Sequence, residues 1–306
     1  MLAPMRILVT GGAGFIGAHT VSALLEAGHE VVVLDDLSTG QRDRLPEVPF
    51  LKGDVRDQVT VFRALRGCDA VVHLASRSSV PDSFRDPVGV ESVNDLGSAT
   101  VLDCAWRRGI RRVVLASSAS VYGQGEPLHE RLPLAPRSPY AASKVAMEAL
   151  GAVYRERGCA VASLRYFNVY GPGQRDGVLP TFLAQLHRGE PLSVDGDGRQ
   201  SRDFVHVLDV ARANVQALAW DGEVNIASGR STSILDLIDR VSQVLGRPLS
   251  RVHGPPRELD STCCTASTLR AREWGWGAQI SLDAGLRGML LADPERLDRD
   301  RAGGMP

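Results

Sequence analysis

Several things are missing from this chain of 306 residues, and each absence removes a class of protein. Charge of one sign is missing: the formal net charge is −1 and the pI about 6.7. No basic face points to nucleic acid, and no polybasic run points to a membrane surface. Long hydrophobic runs are missing too. The apolar stretches are strand-length, which excludes a spanning helix. Cysteine is scarce and odd in number, five in all. With no secretory signal, these read as reduced thiols of a cytoplasmic protein. Cys263 and Cys264 are adjacent but lack a second pair, so no zinc site, and no metal, is expected. There is no internal repeat and no low-complexity segment. What remains is 43% hydrophobic residues, enough for a sizeable core, in a chain long enough for one large domain or one and a half.

The most informative segment is Arg6 to Gly17, Arg-Ile-Leu-Val-Thr-Gly-Gly-Ala-Gly-Phe-Ile-Gly. It reads as a buried strand entering a glycine-rich turn that opens a helix. Gly11, Gly14 and Gly17 stand at intervals of three, and Asp35 closes the next apolar run, Val31-Val32-Val33-Leu34. Strand, turn, helix, strand, acid is the arrangement that binds a dinucleotide. The first glycine permits the tight turn, the second lets backbone approach a pyrophosphate, and the third lets helix pack on strand. The helix N-terminus offers unpaired N–H groups to the phosphates. A carboxylate at Asp35 bridges ribose hydroxyls and repels a 2′-phosphate, so NAD is expected over NADP.

Strand patterns fall at 6–10, 30–34, 49–52, 70–73, 112–116 and 161–166. Helical patterns lie between them at 15–27, 57–66, 91–108 and 140–157. Such alternation predicts an α/β fold, a doubly wound parallel sheet covered on both faces. After Tyr170 the pattern breaks at Gly171-Pro172-Gly173-Gln174. It resumes over 201–228, with a helix expected over 203–219 and a strand at 224–226. The expected division is a cofactor domain of 5–170 and 201–228 and a smaller mixed substrate lobe of 171–200 and 229–292. Residues 1–4 read as an extension and 293–306 as a disordered tail.

Ser138-Pro139-Tyr140-Ala141-Ala142-Ser143-Lys144 opens a helix, with Ser138 suited to the N-cap and Pro139 to the first turn. Tyr140 and Lys144 are four apart and share a face. An ammonium beside a phenol favours the phenolate, which makes Tyr140 a candidate general base. Upstream, Ser117-Ser118-Ala119-Ser120-Val121-Tyr122-Gly123 follows a strand, where a hydroxyl can relay a proton.

Together these stretches resemble the extended short-chain dehydrogenase/reductases of the NAD-dependent epimerase/dehydratase type. Within them the chain is most similar to the nucleotide-sugar 4-epimerases of the UDP-galactose 4-epimerase kind. The matching segments are Thr10–Gly17, Asp35–Gly40, Asp54-Val55, His73–Ala75, Asn94, Ser117–Gly123, Tyr140–Lys144, Arg165–Pro172 and Arg202–Phe204. The resemblance implies Ser118, Tyr140 and Lys144 as catalytic residues. It implies cofactor contacts from Gly11, Gly14, Phe15, Ile16, Gly17, Asp35, Asp36, Ser38, Thr39 and Gly40. Further cofactor contacts are implied from Asp54, Val55, Leu74, Ala75, Ser76, Asn94, Ser117, Tyr140, Lys144 and Tyr166. Substrate contacts are implied from Ser118, Ser120, Tyr140, Asn168, Val194, Arg202, Arg257, Asp260 and Cys264, with the two arginines on the diphosphate. The 91–108 and 140–157 helices would form a homodimer interface.

Dehydratases of this kind carry an Asp-Glu pair before Val-Tyr-Gly, and the decarboxylases keep a Glu. Here those positions are Ala119 and Ser120. Without an acid to expel water, the expected outcome is 4-epimerisation of a UDP-hexose through a transient 4-keto sugar. The alternatives are another modifier of the same fold (dehydratase, reductase or UDP-glucuronate epimerase, with Arg85 and Arg175 as carboxylate ligands) or, more remotely, a non-catalytic NAD sensor. Cys264 matches the position that limits space beside the sugar, and its small side chain implies room for an N-acetyl group.

Overall fold

A computed structural model describes residues 3–123, 125, 127–256 and 264–291. The first strand, β1 (Arg6–Thr10), is buried along Ile7-Leu8-Val9. A parallel strand covered on both faces needs such an unbroken apolar run rather than alternation. Helix α1 (Phe15–Glu26) follows at once and turns Val21 and Leu24 inward. Then come β2 (Glu30–Asp35), β3 (Phe50–Lys52), α2 (Gln58–Ala64) and β4 (Ala70–His73). Two short helices, α3 (Val80–Arg85) and α4 (Pro87–Glu91), lead through a π turn at Ser92–Leu96 into α5 (Gly97–Arg107). Strand β5 (Arg112–Ser118), helix α6 (Pro139–Glu156) and β6 (Ala160–Tyr166) continue the alternation.

These strands and β10 (Gly222–Ile226) form one seven-stranded sheet in the order β10-β6-β5-β4-β1-β2-β3, with every neighbouring pair parallel. The strand order reverses between β1 and β4, and the crevice beyond the carboxyl ends at that switch is where such sheets bind ligands. Two apolar layers hold the sheet. One packs α1 and α8 (Val207–Gln216) through Val21, Leu24, Val210 and Ala213; the other packs α2, α5 and α6 through Val61, Val101, Leu102 and Met147. Each of the larger buried side chains contributes about 1.5–3 kcal/mol.

The smaller sheets lie apart from this one. Strands β7 (Asn168–Tyr170), β9 (Ser201–His206) and β11 (Ser231–Ser233) form a three-stranded sheet, parallel between β7 and β9 and antiparallel between β9 and β11. Strands β8 (Leu192–Asp195) and β12 (Arg251–Gly254) pair in parallel. Helices α7 (Val178–His187), α9 (Ile234–Leu245) and α11 (Leu282–Leu291) cover them around Phe182, Leu237 and Leu286, while α10 (Leu269–Glu273) packs Ala271 back on the main sheet.

The strands of the main sheet fall where the apolar runs predict. Two segments differ. The helix expected over 203–219 begins only at Val207, because Asp203-Phe204-Val205-His206 alternates and pairs with β7 and β11. The helix expected from 91 has an earlier start at Pro87, where the Asp86 carboxylate caps Gly89. Among the described residues no helix is long and apolar enough to cross a membrane, and no cluster of His, Cys, Asp or Glu could hold a metal. The 293–306 segment lies outside the described residues.

Candidate active site

The glycine turn is built for close approach. Gly11 has φ +67°, and a Cβ there would stand 2.6 Å from Ala75 N; one on Gly17 would stand 2.1 Å from Gly11 O. Helix α1 opens at Gly14 with no side-chain cap, so its first N–H groups are left for an anion. Leu74 N donates to Thr10 O (3.0 Å), which brings the end of β4 against the turn.

Asp35 is buried, and its oxygens accept from Ala13 N (2.9 Å) and Leu37 N (2.8 Å). Burial raises its pKa, and the two amides oppose that rise. Gly40 must be small here, since a Cβ would meet Asp35 Oδ1 at 2.9 Å. Leu37 holds φ +62°, a left-handed conformation unusual for a leucine. Asp36 accepts from Ser38 N and Oγ and so closes the loop on itself. Arg175 reaches Thr39 O at 3.4 Å. Beyond β3, Asp54 is gripped by Arg56, which holds its pKa down, while Val55 is buried against Gly97. An uncapped helix start, a cradle that a Cβ would fill and a buried acid fit a dinucleotide such as NAD.

The π turn rotates Asn94 inward. Its Oδ1 accepts from Ser76 Oγ (3.1 Å) and Arg77 N (2.8 Å), and its Nδ2 donates to Arg77 O (3.1 Å) and Ser143 Oγ (3.0 Å). Asn94 thus ties the loop after β4 to α6. A π turn spends one extra residue to re-aim a side chain, and such turns favour functional sites.

Ser138 caps α6 through Ala141 N (3.1 Å), and Pro139 fills the first turn. Tyr140 is half-buried. Burial raises the Tyr140 pKa, and the Ser118 hydroxyl opposes the rise. Lys144 is 3% exposed; its Nζ lies 5.7 Å from the Tyr140 ring centroid and donates to Ala116 O at 2.8 Å. Burial lowers the Lys144 pKa to about 8, with Glu148 pulling upward. Ser120 Oγ is buried with no hydrogen-bond partner among the described residues, which suits it to meet a polar ligand atom.

Other expected site residues are occupied by the protein itself. The Ser117 hydroxyl turns away from the crevice to Glu148. The Tyr166 hydroxyl donates to Asn214, whose amide bonds Thr20 on α1. Asn168 stands at the start of β7, one residue from the end of β6. Arg202 is half-buried on β9, with its guanidinium on Ser201 O (2.7 Å). Val194 is 1% exposed, inside the lobe's apolar core. Cys264 packs beside Val121, Tyr122 and Phe167, against the turn that carries Ser118 and Ser120. Arg257 and Asp260 lie outside the described residues. Arg85 is engaged by Asp82 at the surface.

Sequence reasoning misses several supporting groups. His73 is buried between Thr10 Oγ1 (2.7 Å) and Ser98 Oγ (3.0 Å), and burial lowers its pKa to about 3. Asp203 is fully buried and accepts from Ser228 N and Oγ, Gly229 N and Ala266 N. Glu148 and Arg165 form a buried ion pair. A signal for Glu148 is present, since it continues the spacing of four from Tyr140 through Lys144. His73 and Asp203 stand in segments that carry the family resemblance, but nothing there shows what they bond, because their partners lie 63 residues away in Thr10 and 25 in Ser228.

Residues 7–227 match the NAD dependent epimerase/dehydratase family. The UDP-glucose 4-epimerase of Lacticaseibacillus casei is 35% identical over 306 aligned residues, covering 89% of this chain and 91% of that protein. The structure of the Thermotoga maritima UDP-glucose 4-epimerase with UDP-glucose superposes with a TM-score of 0.91 at 34% identity, covering 96% of this chain and 100% of that one. The Thermus thermophilus UDP-glucose 4-epimerase in complex with NAD gives 0.88 at 36% identity, covering 98% and 100%.

Proposed function

Because the chain belongs to the NAD dependent epimerase/dehydratase family, we propose that it is a UDP-hexose 4-epimerase interconverting UDP-glucose and UDP-galactose. One observation carries the choice of reaction. The turn beside Ser118 and Tyr140 presents Ala119 and Ser120, neither of which can protonate a departing hydroxyl. A Ser–Tyr pair and a buried lysine, with no acid at 119 or 120, suit oxidation and return, not elimination.

The 11–17 turn and Asp35 would hold NAD, which when bound would supply reversible oxidation at the sugar C4. The residues of the chain manage the proton and the orientation. Tyr140 accepts the proton of the 4-hydroxyl, and the Ser118 hydroxyl, which bears on the phenol, relays it. The Lys144 ammonium under the ring favours the phenolate. Ser120 Oγ offers a polar contact to the sugar, Asn168 and Arg202 reach from the lobe strands, and Arg257, Asp260 and Val194 serve the nucleotide. For epimerisation the sugar must offer both faces of C4 to one fixed base, so the pocket must grip the nucleotide more firmly than the hexose.

The protein acts as a cytoplasmic homodimer in this reading. Buried free Cys68, Cys104 and Cys159 suit a reducing compartment, and exposed Val88, Leu96 and Val153 on α4, the π turn and α6 suit a subunit contact. The test is incubation with UDP-glucose, UDP-N-acetylglucosamine and UDP-glucuronate. A new sugar of unchanged mass supports epimerisation; a product lighter by one water overturns it.

A further inference from the structure

Helix α6 carries Tyr140, Lys144 and Glu148 at successive intervals of four, so all three look toward β5 and β6. Glu148 is 4% exposed and Arg165, on β6, 3%. Arg165 Nε donates to Glu148 Oε1 (2.9 Å) and its Nη2 to Oε2 (2.7 Å), a bidentate clamp. Ser117 Oγ donates to Oε1 as well. Arg165 is held in turn by the Tyr122 hydroxyl (2.9 Å), and Tyr122 by Asn225 (2.6 Å).

A carboxylate with three donors cannot swing upward to take a proton from the lysine. It is a fixed negative charge one helical turn from Lys144 and two turns from Tyr140, about 6 Å and 12 Å along the axis. At those separations it acts on the phenol through the lysine. Arg165 supplies the paired charge that a buried carboxylate needs.

We propose that Glu148, pinned by Arg165 and Ser117, is a positioning residue that keeps Lys144 an ammonium and thereby keeps Tyr140 ionisable as the base. The kinetic part of this rests on the epimerase reading; the ionisation of Tyr140 does not.

The other charged groups packed around α6 have their own partners. His73 on β4 stays neutral. Tyr166 on β6 is bonded to Asn214. Asp82 and Arg85 on α3 pair with each other, as do Asp103 and Arg107 on α5. Glu91 and Asp95, from α4 and the π turn, bear on one another. Glu223 on β10 is paired with Arg155.

The test uses Glu148→Gln, which keeps the shape and removes the charge. In the NAD-loaded protein, tyrosinate absorbance is followed against pH, each protein being referenced to the same background carrying Tyr140→Phe. The midpoint for Tyr140 should rise by about one pH unit or more on losing Glu148. The acidic limb of kcat/KM should move upward by the same amount, with activity recovered at high pH. An unchanged midpoint alongside a lowered Tm would make the pair a structural strut and overturn the proposal. If Glu148→Gln does not fold, the double variant Glu148→Met, Arg165→Met removes both charges and preserves packing. It should show an upward shift in the same direction, and a wild-type midpoint there would also overturn the proposal. Should the protein turn over no nucleotide sugar, the absorbance titration still decides.

Discussion

Asp35, at the tip of β2, and Asp203, inside β9, are both buried carboxylates that accept backbone amides, yet they belong to different sheets and hold different kinds of segment. Asp35 fastens the glycine turn, 22 residues before it, and its own loop. Asp203 gathers Ser228 and Gly229, 25 and 26 residues on, together with Ala266, 63 residues on. The cofactor side is assembled from local turns on a deep parallel sheet. The lobe is assembled from loops whose positions depend on a few buried side chains. Local turns can be read from spacing; convergent loops cannot.

Each of the following measurements presses on that contrast. The largest effect belongs to the cofactor side. Tyr140→Phe should lower turnover by about 10²–10⁴ while leaving NAD binding and thermal unfolding near wild type, as read by steady-state rates and calorimetry. Full activity would remove Tyr140 from the mechanism.

On the lobe side the expected loss is one of stability. Asp203→Ala strands the amides of Ser228, Gly229 and Ala266, at about 1–3 kcal/mol for each buried group left unsatisfied. A drop of about 3–5 kcal/mol in denaturant unfolding is expected, with UDP-sugar binding lost before NAD binding. Equal loss of both ligands would erase the distinction between the two regions.

Asp35→Asn keeps an acceptor for only one of the Ala13 and Leu37 amides, turns an NH2 toward the other, and loses the charge. NAD should bind about tenfold more weakly, since a charged hydrogen bond contributes about 1.5–3 kcal/mol, and discrimination against NADP should narrow. Titration calorimetry with both cofactors measures this, and unchanged preference would show that selectivity lies elsewhere.

His73 is read through pH. Its folded pKa of about 3 lies below the unfolded value near 6.5, so between those limits the unfolded chain binds more protons. Stability should therefore fall as pH drops from 6.5 towards 3, by about 1.4 kcal/mol per unit. His73→Gln should flatten that part of the curve, and an identical slope would exonerate the histidine. The smallest effect is expected from Cys264→Tyr. A larger side chain beside Val121 and Phe167 should slow UDP-N-acetylglucosamine more than UDP-glucose. Equal slowing would place Cys264 away from the sugar.

Much of the cofactor half is legible in the sequence itself, and the reason is physical. A buried parallel strand must be apolar throughout, a pyrophosphate turn must be glycine, and a helix must start with a cap. Six of the seven main-sheet strands and helices α1, α2 and α6 are visible in those terms, and the seventh strand shows at Val224–Ile226. The extension of β9 is hidden because Asp203-Phe204-Val205-His206 runs directly into a helical pattern with no glycine or proline between. The inward turn of Asn94 is hidden because a π turn has no compositional mark. Arg165 stands out as part of a motif, but its pairing with Glu148 requires the register of β6 against β5 and α6.

Only Phe167 separates β6 from β7, and its amide still bonds Ile226 O at 3.1 Å in the main sheet. On the return, Ser228 and Gly229 are already held by Asp203 two and three residues after β10 ends. The two sheets are therefore geared together with no slack at either crossing. Inserting or deleting one residue at 167 would turn every β7 side chain, Asn168 included, to the opposite face. Length changes in the chain are cheap where loops are long, but here a single codon would throw the whole lobe out of mesh.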